Sequence, residues 1–340
     1  MRVPFVLVCL VLMLAAGCSS TTTKVSSSGT DSDATEKTTP PSDFKVALIT
    51  PGPVSDAGWS ALAYDGLKGI ESDLGAQVDN QVATGPQAKD AMRAYAQKGY
   101  ALVFGHGFEY NEPGIEVAKD FPNTVFVSSS GGKTATNAGA FRFYLEQGCY
   151  LAGMVAGKMS KTGKIGSVAV LDIPSINSTL TAFEAGAKAA RPDIKIIKTV
   201  YFGTEGDIAG AKRATESVLA QGADFVIHQA NAAAQGVFDA CREKGAYAIG
   251  TNSDQNDNPS GIVLGSATII AKPAFLNLAK QVKDKTFKGS VVLAGMDQDA
   301  IDFVFNPKMD ADIPAEVKKM VADTKVKIKS GALIVPKAEF

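Results

Sequence analysis

Polar side chains stand at the ends of several short, apolar, β-rich runs in this chain. The residues in these positions are His106, Asp172, His228, Gln229, Asn231, Asn252 and Asp254. Neutral imidazole and carboxamide groups both donate and accept hydrogen bonds, and carboxylates accept them, so the set suits a small polar ligand. The two histidines could instead be structural, and each of the other residues could be a turn residue or a helix cap.

Asp56 and Trp59 lie where the first apolar run has ended and a helix is predicted to begin. The free N–H groups of a helix N-terminus favour polar or anionic ligand groups. Trp59 is the only tryptophan, and its flat face could stack on a planar ring, which contributes about 1–3 kcal/mol per stacked base. Asp56 could equally cap the helix, and Trp59 could be a core residue.

The motifs of several enzyme classes are absent. There is no GxxxxGK[ST] loop, no GxGxxG after a strand, no GxSxG, no HExxH and no cysteine pair with zinc spacing. The 34 Lys and Arg residues nearly balance the 35 Asp and Glu residues, and no basic stripe offers a footprint for nucleic acid. We therefore expect a binding protein rather than an enzyme, without metal, cofactor or nucleic-acid partner.

From Phe44 onward, short β-rich runs alternate with longer amphipathic segments, as in parallel sheets built from right-handed βαβ crossovers. The predicted strands are Lys45–Thr50, Gln77–Ala83, Leu102–Gly105, Thr124–Ser128, Ile165–Leu171, Ile194–Phe202, Asp224–His228, Tyr247–Gly250, Ile262–Gly265 and Val291–Leu293. The predicted helices include Ser60–Leu74, Pro86–Lys98, Gly114–Phe121, Ile176–Ala190, Ile208–Gln221 and Ala233–Lys244.

The strand–helix alternation runs twice, which predicts an α/β protein of two doubly wound lobes joined by a hinge. We assign 44–145 plus about 252–285 to the first lobe and 146–251 plus about 286–340 to the second. Parallel sheets bind ligands outside the carboxyl ends of their strands, so two facing lobes would share one cleft. This is the architecture of a type I periplasmic binding protein, which closes by hinge motion.

The N-terminus predicts export and lipidation. Arg2 precedes a short apolar run, and residues 14–18 read Leu-Ala-Ala-Gly-Cys. A basic start, a short apolar core and small residues before a cut are typical of a signal peptide, here 1–17. Leu-Ala-Ala-Gly-Cys resembles a bacterial lipobox, in which Cys18 would be acylated and anchored to a membrane; a plain secretory signal is the alternative. The Ser- and Thr-rich segment 18–43 is predicted to be a flexible tether.

Cys149 and Cys241 are the cysteines left in the folded part of the chain. Two distant cysteines in an exported protein could form a disulfide, although sequence alone does not show that they meet. We expect buried free thiols.

Several blocks of sequence resemble one family. They are Asp56-Ala57-Gly58-Trp59-Ser60, Tyr64-Asp65-Gly66-Leu67, Gly105-His106-Gly107-Phe108, Gly148-Cys149-Tyr150-Leu151-Ala152-Gly153, Gly236-Val237-Phe238-Asp239-Ala240-Cys241 and Ile249-Gly250-Thr251-Asn252-Ser253-Asp254-Gln255. Together they resemble the basic membrane protein (Bmp) family of substrate-binding lipoproteins, which includes purine-nucleoside receptors that feed ABC transporters. The resemblance spans about Lys45 to Pro336.

The resemblance implies a purine stacked on Trp59, with Ser55 and Asp56 placed for polar contacts to the base. We add Phe108 to the predicted ligand-binding residues. Nucleoside-binding members usually carry Asp at the position of Asn252, where the carboxylate holds ribose hydroxyls. They also carry a Lys that aligns with Ile269.

Two further departures concern the loop after the fourth strand and the second stacking aromatic residue. On the loop after the fourth strand, a family aspartate corresponds to Ser129 or Ser130. Glu205 falls near the position of the family's second stacking aromatic residue, so Tyr201 or Phe202 would have to take the place of that residue. Because charged hydrogen bonds are about twice as strong as neutral ones, these losses favour a free purine base or another flat heterocycle over a nucleoside.

The resulting hypothesis is a solute-binding lipoprotein that delivers a small planar ligand to the permease of an ABC importer. It would be held on the cell envelope through Cys18 and face the periplasm or the exterior. The alternative is a ligand-sensing or adhesin lipoprotein that acts through a protein partner.

Overall fold

The structure is a computed structural model that describes residues 43–56, 58–204 and 206–338. The predicted signal peptide, Cys18 and nearly all of the tether lie outside these residues. The strands, in chain order, are β1 (Lys45–Thr50), β2 (Gln77–Val82), β3 (Leu102–Gly105), β4 (Val125–Ser129), β5 (Ala138–Phe143), β6 (Lys164–Ala169), β7 (Lys195–Tyr201), β8 (Phe225–Gln229), β9 (Tyr247–Asn252), β10 (Val263–Ile269), β11 (Val291–Ala294) and β12 (Ile301–Phe305).

The α-helices alternate with these strands along most of the chain. In order they are α1 (Trp59–Leu74), α2 (Pro86–Gln97), α3 (Asn111–Ala118), α4 (Glu146–Met159), α5 (Pro174–Ala190), α6 (Ile208–Ala220), α7 (Ala234–Lys244), α8 (Ala271–Lys283) and α9 (Ala315–Lys329). The predicted strands and helices are present within a few residues at each end, but two strands, β5 and β12, were not predicted. Arg142 interrupts the apolar pattern of β5, and Asp302 interrupts that of β12.

The described strands form two six-stranded sheets. The first has the order β11-β5-β4-β3-β1-β2, and all of its neighbouring pairs are parallel. The second has the order β12-β10-β9-β8-β6-β7 and is parallel except for β12, which pairs with β10 in the antiparallel direction. The two-lobed α/β architecture predicted from the sequence is confirmed.

The chain crosses between the lobes at different points from those predicted. The first crossing lies between β5 and α4. β10 was assigned to the first lobe but pairs with β9 in the second sheet, with Ser266 opposite Gly250. β11 was assigned to the second lobe but pairs with the edge strand β5 of the first sheet. An apolar run predicts a strand but not its partner, because pairing is decided by contacts distant in sequence.

α8 returns to the first lobe after β10. Its Phe275 is fully buried, and the ring lies 4.4 Å from that of Phe104 and 5.2 Å from that of Phe141, measured between centroids. The first lobe therefore contains β1–β5, α8 and β11, and the second contains β6–β10 and β12.

Local sequence explains where the helix at the cleft begins. The carboxylate of Asp56 accepts hydrogen bonds from the backbone N–H groups of Gly58, Ser60 and Ala61 at 2.9–3.0 Å. These bonds satisfy donors that have no partner within the first turn of a helix. Asp56 thus caps α1 and sets the position of Trp59, the first residue of the helix.

α4 and α5 pack with their backbones in close approach. A methyl group on Gly153 would overlap the carbonyl oxygen of Phe183, and one on Gly186 would overlap that of Tyr150. Glycine at both positions is therefore required by the spacing between the two helices.

Candidate functional site: a cavity between the lobes

A cavity of about 400 Å³ lies where the carboxyl ends of the two sets of parallel strands face each other. From the first lobe it is lined by residues that follow β1, β3 and β4, and from the second by residues at the ends of β6, β8, β9 and β10. This is where ligands bind in open parallel sheets, and the volume falls in the range of small-molecule sites, about 300–1,000 Å³.

Trp59 forms one wall of the cavity in a fixed orientation. Its indole Nε1–H donates to the carbonyl of His106 at 3.2 Å, and its ring stacks on the His106 imidazole at 3.9 Å between centroids. Phe143 contacts the indole edge-on at 6.4 Å. Because His106 covers one face of the indole, the other face is the one available to a planar ligand.

His106 lies behind Trp59 and does not line the cavity. The imidazole is fully buried, and its Nδ1 is hydrogen-bonded to Ser129 Oγ at 2.8 Å. Burial lowers the pKa of His106 to about 3, so the ring is neutral at physiological pH. Its role in the structure is to support Trp59.

Three polar residues on the cavity wall adopt left-handed backbone conformations. Ser130 (φ 71°) follows β4, Asn231 (φ 45°) lies just beyond β8, and Asn252 (φ 69°) ends β9. Such conformations are uncommon outside glycine, although asparagine tolerates them better than most residues. Strained backbone of this kind is concentrated at binding sites, where it directs side chains toward a ligand.

Amide side chains from the second lobe form a hydrogen-bonded chain along the cavity. Gln229 Nε2 donates to Thr179 Oγ1 at 2.9 Å, and Asn252 Nδ2 donates to Asn231 Oδ1 at 3.1 Å and to Gln229 Oε1 at 3.5 Å. All four residues line the cavity. The network holds these groups in place and presents neutral donors and acceptors to a ligand.

Most of the remaining second-lobe wall is apolar. The apolar residues are Val170, Leu171, Ile173, Ile176 and Ile269, and the polar ones are Glu146 and Ser175. At the mouth of the cavity, the side chain of Phe108 is 58% exposed. An apolar wall with a few fixed polar groups is the usual composition of a small-molecule site.

Six of the predicted binding residues line the cavity: Trp59, Phe108, Ser130, Gln229, Asn231 and Asn252. The others do not. Besides His106 and the helix cap Asp56, these are Ser55, Asp172, Phe202 and Asp254.

The residues outside the cavity have other surroundings. Ser55 is exposed. Asp172 accepts a hydrogen bond from Asn177 Nδ2 at 2.7 Å, and Asp254 accepts one from the backbone N–H of Asn256 at 3.0 Å. Phe202 packs against the apolar core of the second lobe.

His228 is also a structural residue. Its Nδ1 accepts from the backbone N–H of Ala230, so Nε2 carries the proton and donates to Gln255 Oε1 at 3.0 Å. Burial lowers the pKa of His228 to about 4. Both hydrogen-bonding atoms of the ring are thus satisfied within the protein.

Sequence reasoning missed an ion pair on the cavity wall. Arg142 of β5 donates to Glu146, the first residue of α4, and both side chains are more than 90% buried. The available signal was a pair of opposite charges four residues apart in an otherwise apolar stretch, although the two residues belong to a strand and to the helix that follows it.

In the described part of the chain, no group of three or more His, Cys, Asp or Glu residues could hold a metal ion. None of the helices in those residues is both long and apolar enough to cross a membrane. Cys149 and Cys241 are free and buried, and burial raises the pKa of both thiols.

Comparison with known proteins agrees with this geometry. Residues 44–339 match the Bmp family, described as ABC transporter substrate-binding protein PnrA-like. A purine-binding protein of Brucella abortus is 29% identical over 294 residues, which cover 85% of this chain and 82% of that protein. The transcriptional activator protein med of Bacillus subtilis is 28% identical over 280 residues, covering 82% and 87%.

A solved structure shows the same fold. The solute-binding protein of an ABC transporter system from Conexibacter woesei superimposes with a TM-score of 0.71 at 24% identity, over 86% of this chain and 99% of that one. The fold is that of the type I periplasmic binding proteins, as the sequence predicted. The chain belongs to the Bmp family of ABC transporter substrate-binding proteins, and it is a binding protein rather than an enzyme.

Proposed function

We propose that this protein captures a flat nitrogen heterocycle, a purine base in the first instance, and delivers it to the permease of an ABC importer. The observation that carries the proposal is the indole of Trp59, which is held by His106 and presents one face to the cavity between the lobes. The purine-binding relative from Brucella abortus supports the same ligand class.

The cavity chemistry favours a base over a nucleoside. Asn252 and Ile269 both line the cavity, at the positions where the family resemblance implies an aspartate and a lysine. Charge-assisted hydrogen bonds are roughly twice as strong as neutral ones, so a ribose would lose its two strongest contacts here. An apolar wall instead suits a flat ring without hydroxyl groups.

Titration calorimetry with adenine, hypoxanthine, guanine and the matching ribonucleosides tests this proposal. We expect the bases to bind at least about tenfold more tightly than the nucleosides, because the ribose hydroxyls would lose water without the two charge-assisted contacts that would offset this cost. Tighter binding of the nucleosides would contradict the preference for a base, and binding of neither class would contradict the purine proposal as a whole.

Trp59→Ala removes the stacking face, together with the contacts of the half-buried indole to His106 and Phe143. We expect Kd for a bound base to rise at least about tenfold, as the loss of base stacking predicts, in a variant that is less stable than the wild type but still folded. Trp59→Phe is the matched control, since it keeps an aromatic face and should retain most of the affinity. Unchanged binding by Trp59→Ala would remove Trp59 from the site.

Membrane attachment through an acylated Cys18 is part of the proposal. Two or more long acyl chains bury enough methylene groups to hold a protein at a membrane surface. Metabolic labelling with an alkyne fatty acid should mark the wild type, which should sediment with the membranes. Cys18→Ser should be unlabelled and should remain in the membrane-free fraction. Equal labelling of both proteins would exclude this cysteine as the anchor.

A sensing role is the second candidate, because the relative from Bacillus subtilis is named a transcriptional activator. The discriminating observation is uptake of the bound heterocycle by cells that lack this protein. Loss of uptake supports delivery to an importer, whereas normal uptake with an altered transcriptional response supports sensing.

A further inference from the structure

The ion pair between Arg142 and Glu146 occupies the wall of the cavity beside the first crossing between the lobes. Arg142 belongs to the last strand before the crossing, and Glu146 opens the first helix after it. Both side chains line the cavity, with relative exposures of only 8% and 1%. A charged pair at this depth is unusual, because both groups lose their hydration on burial.

The two oxygens of the Glu146 carboxylate have different surroundings. Oε1 accepts from Arg142 Nη2 and from Ser178 Oγ, the latter at 2.5 Å. Oε2 is buried and has no hydrogen-bond partner among the described residues. One half of the carboxylate is therefore satisfied by the protein, and the other half is not.

Arg142 bonds other acceptors as well as Oε1 of Glu146. Nη1 donates to the carbonyl of Ala338 at 2.6 Å, and Nη2 also contacts Ser178 Oγ at 3.2 Å. Phe143, Leu145 and Ile176 also line the cavity and carry no side-chain donor, and the hydroxyl group of Thr179 donates to the carbonyl of Ile176. A buried acceptor without a donor is costly, and native proteins retain few of them without a reason.

We propose that Glu146 is a specificity-determining residue whose free oxygen Oε2 accepts an N–H group of the bound heterocycle. This inference rests on the proposed function and narrows the ligand class to rings that carry an N–H donor, either in the ring or as an exocyclic amine. The carboxylate selects against ligands that offer only acceptors at this position, because two acceptors would then face each other.

Methylation of the ligand provides a direct test. The probes are adenine and hypoxanthine, each with its mono-N-methyl analogues at every ring nitrogen and, for adenine, at the exocyclic amine. For the wild type, we expect methylation at one position to raise Kd at least about tenfold more than methylation at the others, because a charge-assisted hydrogen bond is lost there.

Glu146→Gln should abolish this discrimination. A glutamine keeps the shape of the side chain and an acceptor for Arg142 but places an amide N–H where Oε2 was. The parent base should bind at least about tenfold more weakly, while the analogue methylated at the sensitive position should change by less than about threefold. A purely structural role would weaken all the ligands by the same factor.

Two further variants complete the test. Glu184→Gln is the matched control: this carboxyl group on α5 is partly buried but does not line the cavity, so the methylation pattern should persist. Glu146→Asp keeps the charge that Arg142 requires and withdraws the carboxylate by one methylene, so it serves if Glu146→Gln does not fold. It should also reduce the discrimination.

The outcomes separate this inference from the proposed function. If the wild type binds the bases and Glu146→Gln retains the full methylation pattern, the role of Glu146 is overturned and the purine proposal stands. If the wild type binds none of the bases, the proposed function fails and the inference fails with it.

Discussion

At the scale of single residues, the site depends on side chains that are held in place by contacts behind the cavity wall. His106 supports Trp59 through a stacked ring and a backbone carbonyl. Gln229 is hydrogen-bonded to Thr179 and in turn accepts a hydrogen bond from the amide of Asn252. Preorganisation of this kind lowers the entropy that ligand binding would otherwise cost.

The two buried histidines make stability dependent on pH. The pKa of His228 is about 4 in the folded state and about 6.5 when unfolded, so between these values the unfolded chain binds more protons. The contribution of neutral His228 to stability is therefore fully present above about pH 7 and is lost as the pH falls toward 4. For one such histidine, the free energy of unfolding should drop by about 2 kcal/mol between pH 7 and pH 5.

Urea unfolding of the wild type and of His228→Gln at pH 7 and pH 5 measures this contribution. The variant is expected to be less stable at pH 7, because Gln255 and Ala230 lose their partner. Between pH 7 and pH 5, the free energy of unfolding of the variant should fall by about 2 kcal/mol less than that of the wild type. An equal loss in both proteins would show that His228 does not titrate as its burial implies.

At the scale of elements, the second lobe is built around the contact between α4 and α5. Glu146 opens α4, and Ser178 and Thr179 lie on α5, so this helix pair also positions one wall of the cavity. The glycines at the contact bring the backbones together, and any displacement of α5 would move the polar groups of the site.

Gly186→Ala tests the importance of this contact. The added methyl group would meet the carbonyl of Tyr150, so the helices must separate, and we expect a loss of about 1–3 kcal/mol or more in the free energy of unfolding. Gly132→Ala is the control, since nothing lies within 4 Å of the added methyl group and its effect should be within about 0.5 kcal/mol. Similar stabilities for the two variants, measured by urea unfolding, would contradict the close packing.

At the scale of the whole molecule, the described C-terminal segment ties both lobes together behind the cavity. Tyr144 Oη donates to the carbonyl of Val335, and Arg142 donates to that of Ala338. The backbone N–H of Ala338 donates to Ser178 Oγ at 2.8 Å. Arg142 and Tyr144 lie at the first crossing, whereas Ser178 lies on α5, so the segment contacts residues on both sides of that crossing.

Val335→Ala tests how firmly this segment is anchored. Val335 is 1% exposed, so truncation should cost about 1–3 kcal/mol in the free energy of unfolding and increase proteolysis near the C-terminus. Its neighbour Ile334 is 82% exposed, and Ile334→Ala should change stability by no more than about 0.5 kcal/mol. If urea unfolding gave equal midpoints for the two variants, the segment would not be packed as described.

Much of the fold was determined by the sequence alone. β1 and β3 have the predicted bounds because each is a continuous apolar run buried on both faces, which few other structures accommodate. The alternation of such runs with amphipathic helices was sufficient to predict two α/β lobes. Trp59 and the polar residues after β8 and β9 could be placed at the cleft because parallel strands align their carboxyl ends.

The tertiary structure decided which residues meet across long sequence distances. Only strand pairing assigns β10 to the second lobe and β11 to the first. The same is true of His106, whose side chain is directed toward Trp59 rather than the cavity, and of Glu146, which reaches the cavity because the chain crosses between lobes there. Local patterns report on the nearest few residues, whereas burial, ion pairing and cavity position depend on contacts that form only when the whole chain is folded.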